Sequence, residues 1–365
     1  MWAWRLGSVR GIDLKIHFTF PLVLLWAAFQ WGGGPGGGPG RALYGALLVS
    51  ILFVCVLLHE LGHSLAAMRY GIKVQDITLL PIGGVAQLRA MPDKPRQELV
   101  VALAGPAVNV AIVALLFPLV NLVSDGLSRY GLVRLLLGTG LSSMIVYIFA
   151  ANISLVVFNL IPAFPMDGGR VLRALLAMRL DYNLATRIAV RLGQLLAIGF
   201  GLFGLLQNPL LILVALFVFF SAGAELRRVA VRDLLQGAQV TQFLAAAGQA
   251  LSPSWPLPAA RLVAHQTGQR AFPVIDAGQL VGLVSIADLN RLQFGHVGEV
   301  MHGDFPVLAP AATLYEAQAA MAALGQTAAA VVESGSLSGL ISVGDVERAY
   351  AWLLQRRRPG VLRYA

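Results

Sequence analysis

The chain has 365 residues, 57% of them apolar and only 12% charged, with a mean hydropathy of +0.73. A soluble globular domain carries roughly 25% charged residues, so this composition excludes one and calls for several membrane spans. The net charge of +9 would suit nucleic acid, but the Lys and Arg residues gather at the ends of apolar runs, where they encode membrane orientation. No nucleic-acid partner is therefore expected.

Arg5, Arg10 and Lys15 precede a first apolar run over 16–31. No small-residue cleavage site closes that run, so it reads as a retained helix rather than a removed signal peptide. A Gly/Pro-rich linker over 32–40 ends it, and a second run covers 43–67. The polar interval that follows contains 74–88, where Pro81-Ile82-Gly83-Gly84-Val85 points to extended backbone. Further runs cover 99–123, 141–161, 188–206 and a short sixth segment, 210–224. Threading these six spans from an inside N-terminus puts sixteen basic residues inside, against Arg41, Arg129 and Arg134 outside. That bias places both termini in the cytoplasm. Gly193, Gly199, Gly201 and Gly204 read as helix packing, and Cys55, the only cysteine, as a small core residue.

Beyond Arg232 the apolar runs stop and a repeat begins. Phe272-Pro273-Val274-Ile275-Asp276 precedes Gly282-Leu283-Val284-Ser285-Ile286-Ala287-Asp288, and Ala330-Val331-Val332-Glu333 precedes Gly339-Leu340-Ile341-Ser342-Val343-Gly344-Asp345. Each copy predicts strand, tight turn, strand and helix, giving a soluble α/β module in two halves. The stretch 251–256 looks like an irregular insert in the first copy. The expected organisation is a six-span domain over 1–228, two α/β halves over 229–292 and 293–355, and a basic tail over 356–365. Arg356, Arg357, Arg358 and Arg363 in that tail suit anionic lipid or solvent. His265, His296 and His302 read as surface or satisfied histidines.

The chemistry centres on His59-Glu60-Leu61-Gly62-His63, inside the second apolar run. Histidines four apart share a helix face and can reach one metal ion, and Glu60 can take a proton from a nearby water. Ionisable groups at membrane depth are expensive and usually functional. A catalytic site normally needs a third protein ligand. Asp167 is the best candidate, because Pro162 and Pro165 keep its segment from being helical and irregular backbone at that depth must face protein or a cavity. A turn or helix-cap role is the alternative. Two imidazoles and a carboxylate suit zinc, while iron or cobalt remain open. Asn109 and Asn152 suit interhelical hydrogen bonds and could also face the cavity.

Together with Asn159-Leu160-Ile161-Pro162-Ala163-Phe164-Pro165-Met166-Asp167-Gly168-Gly169-Arg170, this motif resembles the site-2 protease family of intramembrane metalloproteases, in its prokaryotic branch with a C-terminal pair of cystathionine-β-synthase (CBS) domains. The resemblance implies one zinc on His59, His63 and Asp167, and Glu60 as general base. It implies that Asn159 hydrogen-bonds the substrate backbone or oxyanion, and that Gly83 and Gly84 lie in a glycine-rich loop that presents an exposed edge to an unwound transmembrane protein substrate, an ordinary turn being the alternative. Met166 stands where Leu is commoner in the family. In the CBS pair the resemblance implies an adenine-nucleotide site, with Ser285 and Ser342 near phosphate and Asp288 and Asp345 on ribose hydroxyls; a purely structural pair, serving as a homodimer contact or a rigid docking unit, is the alternative. The implied whole is a cell-membrane enzyme that cuts near the cytoplasmic end of its substrate. A CBS-regulated metal transporter or channel, or a membrane scaffold without metal, are the alternatives.

Overall fold

The computed structural model describes residues 3–34, 36–81, 83–88, 94–246 and 248–356; Ile82, Arg357, Arg358 and Arg363 lie outside them. The chain divides into two compact units, Met1–Leu226 and Arg227–Ala365.

The first unit begins with a hairpin of β1 (Ala3–Val9) and β2 (Ile12–His17), then α1 (Phe20–Gly32) and α2 (Pro39–Arg69). Strands β3 (Val74–Leu80) and β4 (Gly83–Leu88) follow, in the extended region expected. The sheet order is β1-β2-β3-β4, with β2 and β3 parallel from Asp13 opposite Asp76 to Ile16 opposite Leu79. Parallel neighbours need a crossover, and here α1 and α2 form it. The chain thus leaves and rejoins one sheet, and β4 is left at its edge. Then come α3 (Pro95–Val123), α4 (Arg129–Leu136), α5 (Leu141–Asn159), α6 (Asp167–Ala177), α7 (Tyr182–Gln207) and α8 (Leu210–Gln236).

Among the described residues five helices are long and apolar enough to cross a membrane: α2, α3, α5, α7 and α8. The first apolar run, expected as the first span from residue 16, yields a shorter helix. Ile16 and His17 belong to β2, held there by ladder pairing and by the Lys15 Nζ to Asp76 Oδ2 ion pair of 2.6 Å. That leaves α1 with 13 residues, about 20 Å against a hydrocarbon core of about 30 Å. Conversely α8, expected to be short, has 27 residues. The unit is turned inside out relative to a water-soluble protein. Leu115, Leu122 and Leu206 face outward, while Asn109, Asn152, Arg173 and Thr186 are buried, as a lipid solvent requires.

The second unit contains β5 (Ala245–Ala246), α9 (Leu257–Thr267), β6 (Ala271–Asp276), β7 (Gln279–Ser285), α10 (Ile286–Leu289), β8 (Val307–Leu308), α11 (Leu314–Leu324), β9 (Ala328–Glu333), β10 (Ser336–Ser342) and α12 (Val343–Arg356). Both hairpins turn on two left-handed residues, Ala277-Gly278 and Ser334-Gly335, the turn whose twist matches the flanking strands. The repeat runs through the core at a constant offset of 57 positions. Leu251, Leu257, Ala260, Phe272, Val274, Val284 and Leu289 have counterparts in Leu308, Leu314, Ala317, Ala329, Val331, Ile341 and Val346, and all fourteen are buried. The stretch read as an insert is therefore part of the repeat. Leu251 bridges Val274 in parallel as Leu308 pairs with Val331, an equivalence that its prolines conceal.

Because β2 rejoins β3 in parallel, single cysteines replacing Arg10 and Lys73 are expected to label from the same side of the membrane, and one replacing Gly36 from the opposite side. Labelling of all three by one impermeant reagent added to one side would contradict this threading.

Candidate metal centre

The helical spacing of α2 puts His59 and His63 on one face, with ring centroids 4.7 Å apart and edge-to-face. The partner helix is α3, and close approach of the two backbones makes the site. A Cβ on Gly62 would stand 2.7 Å from the Ala104 carbonyl oxygen, and a Cβ on Gly105 would overlap the Nε2 atoms of both histidines. Only a backbone without side chains fits there, the small-residue device of membrane helix pairs.

Hydrogen-bond partners fix the protons. The His63 Nδ1 lies 2.7 Å from the Val101 carbonyl oxygen, which can only accept, so Nδ1 carries the hydrogen. For His59 the direction follows along a chain. The Ile148 carbonyl accepts from Asn152 Nδ2 at 2.8 Å, and Asn152 Oδ1 accepts from Asn109 Nδ2 at 2.7 Å. Asn109 Oδ1 therefore faces His59 Nδ1 at 2.5 Å and accepts its hydrogen. In neutral rings both Nε2 atoms are then bare lone pairs. They point at each other across 3.0 Å and at Asp167 Oδ2 across 3.2 and 3.1 Å, and all three residues are buried.

Three acceptors at that separation repel unless a cation lies among them. A tetrahedral zinc about 2.0–2.1 Å from each donor spaces its ligand atoms roughly 3.3 Å apart, close to the triangle observed. His59, His63 and Asp167 are also the group that could hold a metal ion among the described residues. The donor set and the dimensions fit zinc.

Asp167 occupies this corner differently from the expectation. It is not in the irregular segment but is the first residue of α6. The prolines shape the loop before it, and the helix aims it. Glu60 follows His59 on α2, and β4 crosses it closely: a Cβ on Gly84 would stand 2.6 Å from Glu60 Cγ. Gly83 begins the same strand, with a left-handed φ of 139°. Asn159 ends α5 half-buried and takes no part in the hydrogen bonds of the His-His-Asp cluster. Cys55 is buried and free.

In the second unit, the Ser285 hydroxyl lies 2.5 Å from Asp288 Oδ2 and Ser342 lies 2.6 Å from Asp345 Oδ2. Each pair caps the helix that follows its strand. The remaining carboxylate oxygens meet His302 and Arg348. Burial pushes the Asp288 carboxyl up, but the bonds from Ser285 and His302 outweigh it and hold the group below the usual carboxylate range.

Sequence reasoning missed Val101 and Gly105 altogether. Their one visible trace is the spacing of 101, 105 and 109 on a single face of α3. Asn109 and Asn152 do make the interhelical bond expected of them, and Asn109 additionally holds a ring of the site.

Residues 47–200 match peptidase family M50, and residues 249–295 and 297–351 match the CBS domain. A zinc metalloprotease of Methanocaldococcus jannaschii is 34% identical over 354 residues, 96% of this chain and 96% of that one. Rip3 of Mycobacterium tuberculosis, named for the same activity, is 30% identical over 94% of this chain and 91% of that one. The solved site-2 protease of Methanocaldococcus jannaschii is 38% identical, covers 61% of this chain and 95% of that one, and has a TM-score of 0.43. Neither a transporter nor a scaffold accounts for these relatives, and the chain belongs to peptidase family M50, the site-2 proteases, as a zinc metalloprotease with a CBS pair.

Proposed function

We propose that this protease cuts a transmembrane protein within the bilayer, near the substrate's cytoplasmic end, with His59, His63 and Asp167 holding the zinc. The observation that carries this reading is the triangle of three buried acceptor atoms, each 3.0–3.2 Å from the others. Bound zinc would supply Lewis-acid chemistry, a lowered water pKa and a polarised carbonyl. Glu60 takes the proton of the attacking water and returns it to the leaving amine. A helical substrate shields its peptide bonds, so it must unwind, and an unwound strand needs new hydrogen-bond partners. The edge of β4 offers them beside Glu60, with Gly83 and Gly84 leaving room, and Asn159 is the donor for the substrate carbonyl.

The threading that supports this has both termini and the CBS pair in the cytoplasm and α1 as a sixth, short crossing of the cell membrane. The CBS pair takes an adenine nucleotide, with Asp288 and Asp345 exchanging His302 and Arg348 for ribose hydroxyls. This binding modulates cleavage, and the same domains join two copies of the chain.

Glu60→Gln is expected to lower cleavage by roughly 10²–10⁴-fold while zinc stays near one per chain; cleavage at the wild-type rate would remove Glu60 from its role. Gly105→Ala drives a methyl group between the ligand atoms, and zinc retention against a chelator should fall by about tenfold or more. Unchanged retention would mean that the metal sits elsewhere. For the CBS pair, titration of the full chain with AMP is expected to give binding that Asp345→Ala weakens about tenfold. Absence of AMP and ATP binding to the wild type would leave the pair without its assigned nucleotide.

A further inference from the structure

The least exposed charged side chain of the described residues lies outside the ligand triangle. Arg173, on α6, has no solvent exposure. Its Nε and one terminal nitrogen donate to Glu98 Oε1 at 2.8 and 2.5 Å, and the other terminal nitrogen donates to Glu225 Oε1 at 2.6 Å. Phe164 and Tyr182 cover the guanidinium, with ring centroids 4.9 and 5.1 Å away. Glu98 Oε2 is buried without a hydrogen-bond partner among the described residues. A buried ion cluster with an unsatisfied oxygen is weak evidence of a stability role, since apolar residues fill such space as well or better. Its use must be sought in what it fixes.

Glu98 supplies the answer through its place on α3. Residues 98, 101, 105 and 109 are spaced by three, four and four, one stripe along that helix. Val101 accepts from His63, Gly105 makes room for both rings, and Asn109 accepts from His59. The first member, Glu98, grips Arg173, six residues beyond Asp167 in an α6 of only 11 residues. Phe164, on one face of the guanidinium, belongs to the loop that delivers Asp167. Both imidazoles are thus referenced to α3 directly, and the carboxylate is referenced to it through Arg173.

We propose that Arg173 is a positioning residue for Asp167: its fork onto Glu98, braced by Glu225, sets α6 against α3 so that the carboxylate meets the two imidazoles. Arginine suits this because a planar fork fixes orientation, whereas a lysine ammonium is a point charge without one. The inference rests on Asp167 being a zinc ligand, and its test separates the two statements.

The test is a double-mutant cycle on the full-length protein in detergent, reading zinc affinity by competition with a chromophoric chelator. Arg173→Lys in the otherwise wild-type chain is expected to weaken zinc binding about tenfold, the usual size for a group behind a ligand. In an Asp167→Asn background the same substitution should change affinity by less than about twofold, because the corner it positions is already lost. Equal losses in both backgrounds, or no loss in the first, would overturn the positioning role while leaving Asp167 a ligand. Unchanged affinity in Asp167→Asn alone would overturn the ligand assignment and the inference with it. Should Arg173→Lys fail to fold, Glu98→Gln completes the same cycle with the same two criteria.

Discussion

Two bare imidazole nitrogens and a carboxylate oxygen, all on buried side chains, are held about 3 Å apart, and this arrangement needs a cation. The need originates in groups that touch no ligand position. The Val101 carbonyl and the Asn109 amide take the Nδ1 hydrogens, and so turn the two Nε2 lone pairs inward. Replacing the Asn109 amide oxygen by a donor would reverse the His59 tautomer, and the triangle would lose an acceptor. In water such a preference is small; at low dielectric it decides the occupant of the site.

The same logic extends outward. α3 contributes none of the three clustered side chains, yet both imidazoles hydrogen-bond to it. Proline stands inside this helix at 106 and 118, and a glycine stands where the rings come closest, so α3 is built for close approach rather than for helix stability. On the other side of Glu60, β4 lies near enough that Gly84 has no room for a side chain. Glu60 thus lies between a helix and a strand edge, an arrangement an extended peptide can join.

Much of this was legible in the sequence. The i, i+4 histidines, the apolar run around them and the Pro-rich approach to Asp167 identified all three corners of the triangle, because ligand chemistry uses rare residues at fixed spacing. The repeat of 57 positions was legible from its Gly-Leu-x-Ser-x-x-Asp copies, though not its first strand, where Leu251 sits among prolines. What sequence could not carry was pairing over distance. Glu98, Arg173 and Glu225 are separated by 75 and 52 positions, and no periodicity links them. A backbone carbonyl such as that of Val101 leaves no sequence signal at all. The start of the first helix was not legible because hydropathy does not distinguish a half-buried strand from the start of a helix, and β2 claimed Ile16 and His17 through its partner β3.

The most direct test of the centre is X-ray absorption at the zinc edge of the purified, full-length protein. Zinc on His59, His63 and Asp167 would give nearest neighbours of nitrogen and oxygen about 2.0–2.1 Å away, with more distant scattering from two imidazoles and no sulfur. A zinc–sulfur distance of about 2.3 Å, as a thiolate from the single cysteine, Cys55, would give, or scattering from a single imidazole, would contradict it.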